Sequence, residues 1–297
     1  MAVKHVAALL LLGAIWGASF IFMRVAAPEF GIYVLVEVRT VLASLVLLPV
    51  LLIAGGWRDM FAQWKAIALV GAINTAIPFV LFNYSSLHLE AGVNAILNAT
   101  APMFGALVAY VWLGDKLRRS AIFGLVIGFV GVAVISQQKV GTGGVSLLPI
   151  LTALLATTCY GLAASMMKKW LSGARPLTVA TGSQLVASVV LLPFALTTLP
   201  EAMPSNTAWL NAVALAVFGT GIAYILYFYL IASIGPAQAI TVAYLVPLFG
   251  IVWGLIFLAE RLSWQAMVGG VLILTGVALT TGVVRHVRQR RQLRANQ

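Results

Sequence analysis

Residues 43–49 read ASLVLLP, and residues 187–193 read ASVVLLP, 144 positions later in the chain. The stretch LGDKL at 113–117 likewise returns as LAERL at 258–262. Chance matches in an apolar sequence repeat Leu, Val and Ala, but they rarely keep a proline and an acid–base pair in register. The chain therefore contains an internal repeat, and this repeat decides the fold.

The composition is that of an integral membrane protein. Of the 297 residues, 8 % are charged and 62 % are hydrophobic, with a mean hydropathy of +1.05, whereas about 25 % of the residues in an average soluble domain are charged. A soluble globule of this size needs many more charges to cover its surface, so the soluble and disordered classes are excluded. The single cysteine, Cys159, excludes an internal disulfide and a cysteine metal cluster.

A window of about 20 mostly apolar residues, the length that crosses a bilayer, gives ten candidate spans separated by turn or charge signals. The spans are His5–Ala26, Gly31–Ala54, Trp64–Leu87, Ala91–Leu113, Arg119–Gln137, Ser146–Lys168, Pro176–Leu199, Thr207–Ile231, Ala237–Leu258 and Ser263–Val284. We therefore predict an all-α integral membrane protein with ten transmembrane helices.

Each repeat holds five spans, and because five is odd the second repeat starts on the opposite side of the membrane. The sequence thus predicts two inverted five-helix repeats, at residues 1–139 and 144–285, followed by a basic cytoplasmic tail at 286–297. In transporters built in this way the substrate site lies near the midplane where the repeats meet, and exchange of the two repeat conformations gives alternating access. The architecture favours a carrier over an enzyme.

The distribution of basic residues orients the chain. With the N-terminus inside, fourteen Lys and Arg residues fall in the inner segments and only Lys139 and Arg261 in the outer loops, while Arg24 and Arg39 lie within spans. Positive charge is concentrated on the cytoplasmic side of membrane proteins, so we expect both termini in the cytoplasm. The net charge of +11 then indicates a topology anchor near anionic lipid headgroups rather than nucleic-acid binding.

Two features carry a family resemblance: the first-helix stretch WGASF at 16–20, and the pair LGDKL at 113–117 and LAERL at 258–262. In these the sequence resembles the drug/metabolite transporter superfamily and, within it, the ten-helix EamA family, with the YddG-like amino-acid exporters as the nearest group. The resemblance implies inner-membrane export of small amphipathic metabolites, above all amino acids, including aromatic and hydrophobic ones. A carrier of the same family for drugs, cations or nucleotide precursors, or a membrane channel or scaffold, is the alternative.

Catalytic signals are not found in the sequence. The three histidines, His5, His88 and His286, lie at span ends, and no zinc-protease or phosphate-loop pattern occurs. We predict no enzyme activity, no cofactor and no bound metal. Without an ATPase module, the expected transport is secondary or facilitated. The expected partners are a small-molecule substrate and the lipid bilayer, with no nucleic acid. A monomer is expected, and a dimer stays open.

Two charged residues lie inside the second span. Arg39 falls about 12 Å deep, near the centre of a hydrocarbon core about 30 Å thick. It must face protein or a wet cavity, and it either locks onto backbone carbonyls or holds a substrate carboxylate through its bidentate fork. Glu37 is the one acid placed within a span, so it is the candidate for proton coupling; the alternative is an ionised residue in the outer vestibule.

Carboxamides and aromatic rings at midspan supply the other candidates. Asn94 and Asn98 share one face of span four, and Asn74 lies in span three; carboxamides suit an amino-acid headgroup, and hydrogen bonding between helices is the alternative. Midspan Trp and Tyr, which normally prefer the interfaces, are interpreted as lining a cavity in which a substrate stacks. The expected substrate-binding residues are Trp16, Ser19, Arg39, Asn74, Phe79, Asn94, Asn98, Tyr160, Tyr224, Tyr227 and Tyr244.

Three prolines are candidate hinges. Pro102 and Pro247 occupy equivalent places in the two repeats, and Pro78 lies in span three. A proline inside a helix removes a hydrogen bond and frees a carbonyl about four residues back. We expect symmetric kinks in the middle of spans four and nine, which would serve as hinges and expose backbone acceptors.

Overall fold

The computed structural model describes residues 2–140 and 147–282, and in that part of the chain every regular element is a helix. Short helices at Trp57–Ala62 and Pro236–Ala239 precede the third and ninth of ten main helices. The main helices are α1 (Val3–Phe30), α2 (Ile32–Ile53), α3 (Trp64–Ser86), α4 (Ala91–Leu113), α5 (Arg119–Val140), α6 (Leu148–Trp170), α7 (Pro176–Thr197), α8 (Asn206–Ile234), α9 (Val242–Leu258) and α10 (Trp264–Thr281).

Nine of these helices, all within the described residues, are long and apolar enough to cross a membrane. The remaining one, α9, is an apolar helix of 17 residues. It starts later than expected, because helix bonding is broken at residues 240–241. There the Thr241 hydroxyl donates to the carbonyl of Gln238 at 2.6 Å and so competes with the helix ladder. The prediction of an all-α integral membrane protein is confirmed.

The two halves pack with a pseudo-twofold relation. We call two helices at equivalent places in the repeats mates, so that α6 is the mate of α1. Helix α1 packs along α9 and against the start of α8, and α6 packs along α4 and against α3. Helix α2 contacts α8 as α7 contacts α3, while α2 with α7 and α5 with α10 are contacts between mates. Each of these contacts joins one half to the other. The chain therefore forms two intertwined five-helix repeats, and the odd helix number inverts the second relative to the first.

Glycines let α5 and α10 approach closely. A Cβ atom at Gly124 would lie 2.5 Å from the carbonyl oxygen of Gly276, and one at Gly131 would lie 2.7 Å from that of Gly269. Small residues allow such backbone contact between membrane helices. This pair therefore joins the halves by direct backbone packing.

Two π-helical turns stand at equivalent places in the halves. Residues Ala72–Ala76 form one within α3, and Val217–Ile222 form the other within α8, 145 positions later. Pro78 follows the first turn and has no N–H to continue the regular ladder, whereas Gly219 and Gly221 lie within the second. Such turns are frequent at functional sites. Here they lie where α3 and α8 contact α7 and α2 of the opposite half.

The equivalent prolines do not interrupt their helices alike. Helix bonding in α4 is broken at residues 99–100, directly before Pro102, whereas α9 continues through Pro247. The symmetric interruption that we expected is therefore not found. One physical reason is Thr100, whose hydroxyl donates to the carbonyl of Leu97 at 2.7 Å and adds to the effect of the following proline. The hinge roles stay predictions.

The predicted basic tail, residues 286–297, lies outside the described residues, and so does the segment 141–146 between the repeats. The boundaries of the predicted repeats and the placement of both termini in the cytoplasm therefore stay predictions.

Candidate substrate site

Arg39 of α2 is enclosed by side chains from three other helices. Its Nε donates a hydrogen bond to Oγ1 of Thr220 at 2.9 Å, and its guanidinium carbon lies 3.6 Å from the centre of the Phe79 ring. One terminal nitrogen, Nη1, is 4.0 Å from the sulfur of Met23. Only 8 % of the residue is exposed. Helices α1, α3 and α8 therefore hold the guanidinium in place.

These contacts do not use all the donors of Arg39. Within the described residues no hydrogen bond from Nη2 is found, and Nη1 has only the weak sulfur acceptor. Among the described residues, the groups that contact Arg39 are a hydroxyl, a sulfur and a ring. They are not the backbone carbonyls that one interpretation of the sequence proposed as partners. A positioned guanidinium with free donors is suited to bind a carboxylate through two parallel hydrogen bonds.

Tyrosine side chains approach the same charge. Tyr160 of α6 and Tyr224 of α8 interact electrostatically with Arg39, and Tyr227 interacts with Tyr224. All three tyrosines are partly exposed, whereas Arg39 is enclosed. The Tyr160 ring stacks on Phe82 with the ring centres 6.2 Å apart. The neighbours of Arg39 therefore include phenol groups and aromatic faces.

Aromatic rings continue from this point to α1. The rings of Trp16 and Tyr227 have their centres 5.2 Å apart, and Tyr224 stacks on Phe228 at 5.8 Å. Trp16 is partly exposed, as expected for a ring that borders a cavity. Ring contacts thus run from Trp16 through Tyr227 and Phe228 to Tyr224, and Tyr224 interacts electrostatically with Arg39.

The three predicted asparagines differ in their surroundings. Asn94 is fully buried; it accepts a hydrogen bond from the Ser85 hydroxyl at 2.7 Å and donates one to the Ser86 hydroxyl at 2.9 Å. Its amide therefore ties α4 to α3, which is the alternative that the sequence left open. Asn74 and Asn98 are half-buried, and within the described part of the chain no hydrogen bond of either amide is found. These two amides are free to meet a substrate.

Ser19 and Tyr244 lie in other contacts. Ser19 donates to the carbonyl of Ile15 at 3.3 Å, and its Oγ would lie 2.6 Å from a Cβ at Gly219, so it packs against the second π-turn. Tyr244 shares a hydrogen bond of 2.8 Å with the hydroxyl of Thr281, the last residue of α10. The sequence placed Tyr244 at midspan. In the structure it is instead the third residue of α9, because that helix starts later than expected.

Glu37 lies on a different side of α2 from Arg39. It is one turn from Tyr33, whose ring stacks on Phe194 of α7 at 5.6 Å, and residues four apart share a helix face. Its Oε2 is enclosed and has no hydrogen-bond partner among the described residues. The residue as a whole is partly exposed, so proton coupling and an ionised residue in the outer vestibule both stay open for Glu37.

Sequence reasoning did not name Thr220 and Met23, which complete the surroundings of Arg39. A signal for Thr220 exists, because Thr75 and Thr220 are in register in the repeat and each is a polar residue in an apolar span. Met23 has no comparable signal, since a methionine in an apolar helix is ordinary packing.

An ion pair lies at each end of the bundle, at equivalent places in the repeat. Nε of Arg24 is 3.8 Å from Oε1 of Glu260, and Nζ of Lys168 is 2.7 Å from Oδ2 of Asp115. The side chains of the first pair are 34 % and 12 % exposed, and those of the second are 62 % and 51 % exposed. Because the repeats are inverted, the enclosed pair and the exposed pair lie at opposite ends.

The end that holds Glu260 joins four segments. Oε2 of Glu260 accepts a hydrogen bond from the N–H of Ala91 at 2.9 Å, and Arg24 donates to the carbonyl of Ser86 at 2.8 Å. Burial raises the pKa of the Glu260 carboxyl above its ordinary value of 4.5, against the lowering effects of the Ala91 N–H and of Arg24. Helices α1, α3 and α4 and the turn between α9 and α10 are thus held together here.

A separate groove of about 660 Å³ lies between α1, α8 and α9. Its lining is mainly apolar and includes Phe218, Trp253 and Phe257, of which Phe218 and Phe257 are exposed on the outside of the bundle. Arg39 and its tyrosine neighbours do not line it. This groove is therefore distinct from the candidate site around Arg39.

The model of the family described as EamA-like transporter matches residues 4–137 and 147–282 of the chain. Each match covers one five-helix half. Two groups of residues that could bind substrate, around Arg39 and at the asparagines, thus lie within matched segments.

In the described residues no group of three or more His, Cys, Asp or Glu side chains could hold a metal ion.

Similar proteins are named as transporters. An uncharacterized transporter of Archaeoglobus fulgidus is 23 % identical over 269 residues, which cover 88 % of this chain and 93 % of the relative. A probable terminal-alkyne amino-acid exporter of Streptantibioticus cattleyicolor is 29 % identical over 287 residues, 93 % of each chain. The uncharacterized inner membrane transporter YedA of Escherichia coli is 27 % identical over 283 residues, 93 % of this chain and 90 % of the relative.

A protein of known crystal structure superposes on the chain with a TM-score of 0.67 at 15 % identity, over 96 % of this chain and 98 % of that one. This likeness supports the fold alone. The two family matches span nearly all of the described residues, and they confirm a multi-pass membrane transporter rather than an enzyme. The chain belongs to the EamA-like transporter family, as its sequence motifs predicted.

Proposed function

We propose that the protein exports small amphipathic metabolites, above all amino acids with aromatic or hydrophobic side chains, across the inner membrane by alternating access. The observation that carries this proposal is the Arg39 guanidinium, which is held by Thr220 and Phe79 and keeps free donors beside the partly exposed Tyr160 and Tyr224. A charged residue in a membrane interior is costly, and it persists where a substrate or ion pathway needs it.

The residues around Arg39, together with the separate amides of Asn74 and Asn98, suit a zwitterion with an apolar side chain. The free donors of Arg39 bind the carboxylate, and the oxygen atoms of Asn74 and Asn98 accept hydrogen bonds from the ammonium group. The rings of Trp16 and Tyr227 offer faces on which an aromatic side chain stacks. The relative named as a probable terminal-alkyne amino-acid exporter supports this substrate class and the outward direction.

The ion pairs at the two ends support alternating access. In this proposal the enclosed Arg24–Glu260 pair lies at the closed end, and the more exposed Lys168–Asp115 pair lies at the end that is open to water. Exchange of the two repeat conformations encloses the second pair and exposes the first. With the N-terminus in the cytoplasm, the Lys168 end faces inward, so this conformation accepts substrate from the cytoplasm.

We propose that Glu37 couples this transport to protons. A carrier that moves substrate against a gradient needs a group whose charge is neutralised in one conformation of the transport cycle and not in another. Glu37 is an acid within a spanning helix, and its Oε2 is enclosed without a hydrogen-bond partner among the described residues. Loss of concentrative transport with retained exchange in Glu37→Gln is the result expected for a coupling group.

Counterflow into proteoliposomes tests the proposed function. Vesicles loaded with unlabelled phenylalanine should accumulate labelled phenylalanine transiently and saturably, and Arg39→Gln should abolish this signal. Arg261→Gln, which removes an exposed arginine outside the spans, is the matched control and should retain it.

Two outcomes would contradict the proposed function. Counterflow of a cationic drug in place of any amino acid would favour a drug carrier of the same family. Flux that never saturates and shows no counterflow would favour a channel.

A further inference from the structure

Three polar side chains near the first π-turn are enclosed without partners. Thr75 in that turn, and Ser183 and Gln184 in α7, are 0 %, 2 % and 0 % exposed. Within the described residues no hydrogen-bond partner is found for Oγ1 of Thr75, Oγ of Ser183, or either amide atom of Gln184. An enclosed polar atom without a partner costs about 1–3 kcal/mol, so four such atoms together indicate a ligand.

The packing of α3 on α7 places these side chains together. A Cβ at Gly71 would lie 2.9 Å from Cα of Ser183, so this is where the two helices touch. One turn further along, Ala76 and Phe79 pack in one apolar cluster with Ala187. Thr75 lies between these two contacts, next to the stretch of α7 that carries both unpartnered residues.

The same place in the other half holds a cation. Thr75 is equivalent to Thr220 in the repeat, and Ser183 is equivalent to Arg39. In one half the Thr220 hydroxyl accepts a hydrogen bond from the guanidinium. In the other half the residue equivalent to Arg39 is Ser183, so the repeat supplies no built-in positive charge there. By this symmetry the polar atoms around Thr75 are suited to a mobile cation.

The backbone adds to this chemistry. Pro78 has no N–H, so one carbonyl oxygen of the preceding turn lacks its main-chain donor, and such carbonyls coordinate Na⁺ in other transporters. Thr75, Ser183 and Gln184 carry no carboxylate, whereas divalent cations are usually held by carboxylates. These neutral oxygen ligands therefore suit a monovalent cation.

We propose that Thr75, Ser183 and Gln184, with a carbonyl oxygen of the first π-turn, form a binding site for a monovalent cation, Na⁺. Binding of Na⁺ at this site does not depend on the proposed export function. Hydroxyl, amide and carbonyl oxygens are hard ligands of the kind that such cations prefer.

Thermal unfolding of the purified full chain in detergent tests the site. The midpoint is measured in NaCl, KCl and N-methylglucamine chloride at equal ionic strength and constant pH. The wild type should show a saturable rise of the midpoint in NaCl, because a ligand that binds only the folded state stabilises it. Thr75→Val, which keeps the side-chain shape, and Gln184→Leu should lower the apparent Na⁺ affinity about tenfold or more.

Thr178→Val is the matched control. Thr178 lies on the same helix, is 0 % exposed and also has an unpartnered hydroxyl, but it packs near Gly56, two turns of helix from Gln184. It should keep the wild-type Na⁺ response. Equal midpoints in the three salts, a response to KCl and not to NaCl, or an unchanged Na⁺ response in Thr75→Val would each overturn the site. Phenylalanine counterflow on the same samples separates the proposals: counterflow without Na⁺ stabilisation rejects the cation site alone.

Discussion

Nε of Arg39 in the first half donates a hydrogen bond of 2.9 Å to Oγ1 of Thr220 in the second, across 181 positions of sequence. The acceptor lies in a π-turn, and its own hydroxyl donates to the carbonyl of Leu215 five residues earlier at 3.2 Å. The π-turn thus orients the Thr220 hydroxyl, and this hydroxyl orients the Arg39 guanidinium. The halves of the transporter meet at the charge that we assign to substrate binding.

Removing this acceptor should weaken substrate binding. Thr220→Val keeps the shape of the side chain but removes a hydrogen bond to a charged group, a loss of roughly 1.5–3 kcal/mol. We expect the KM for phenylalanine counterflow to rise by about tenfold or more, with the amount of folded protein unchanged. Thr220→Ser, which keeps the hydroxyl, should behave as the wild type. An unchanged KM in Thr220→Val would show that the Arg39–Thr220 bond does not position the guanidinium.

Two asparagines of α4 should respond differently to substitution. Asn98→Leu should abolish flux while leaving folded protein, because its amide is free and half-buried. Asn94→Ala should retain flux per folded protein but lower the midpoint of thermal unfolding, because it breaks the bonds to Ser85 and Ser86, each worth about 0.6 kcal/mol in a membrane interior. Normal flux in Asn98→Leu would remove that residue from the site.

The stability of the closed end should depend on pH through Glu260. Burial raises the pKa of its carboxyl above 4.5 in the folded protein, so the folded state binds more protons than the unfolded state just above that pH. The free energy of unfolding should therefore fall as pH rises from 4.5 through the raised pKa. Glu260→Gln should flatten this part of the profile. A profile that rises over the same window would contradict the assignment.

A left-handed residue offers a stability test that does not involve transport. Ala259, after the end of α9, has φ of 52°, whereas its repeat equivalent after α4 is Gly114 with φ of 72°. This conformation costs a residue with a Cβ about 1–2 kcal/mol, and glycine gives back part of the gain through unfolded-state entropy. Ala259→Gly should raise the unfolding free energy by roughly 0.5–1 kcal/mol, and Gly114→Ala should lower it. If Ala259→Gly lowered the free energy of unfolding, or Gly114→Ala raised it, other contacts would determine the stability of these turns.

The sequence was sufficient to predict the helical membrane fold because apolar length and an in-register repeat are local or simply spaced signals. Most expected spans fall within a few residues of the observed helices, for example Ala91–Leu113 for α4. The ninth span was predicted too long, since the side chain of Thr241 breaks the ladder by a bond that hydropathy does not register. The π-turns were not predicted, because a change from four-residue to five-residue bonding leaves the apolar pattern almost intact.

The candidate site was predicted only in part. Arg39 stood out because charge is rare in a span, and Trp16, Tyr160 and Tyr224 because such rings are unusual at midspan. Thr220 was not named, since its importance comes from a contact with another helix far along the chain. Asn94 and Asn98 have the same sequence context, and only packing against Ser85 and Ser86 separates the structural amide from the free one.

Arg39 is proposed to bind the carboxylate of an amino-acid substrate. A direct test of this contact is competition against labelled phenylalanine in counterflow. The two competitors are phenylalanine and phenylalaninamide, which lacks the carboxylate. The wild type should prefer phenylalanine by about ten- to a hundredfold, as a hydrogen bond to a charged group of roughly 1.5–3 kcal/mol implies, and Arg39→Gln should lose that preference in whatever flux remains. An Arg39→Gln protein that transports phenylalanine and still discriminates against the amide would contradict the account.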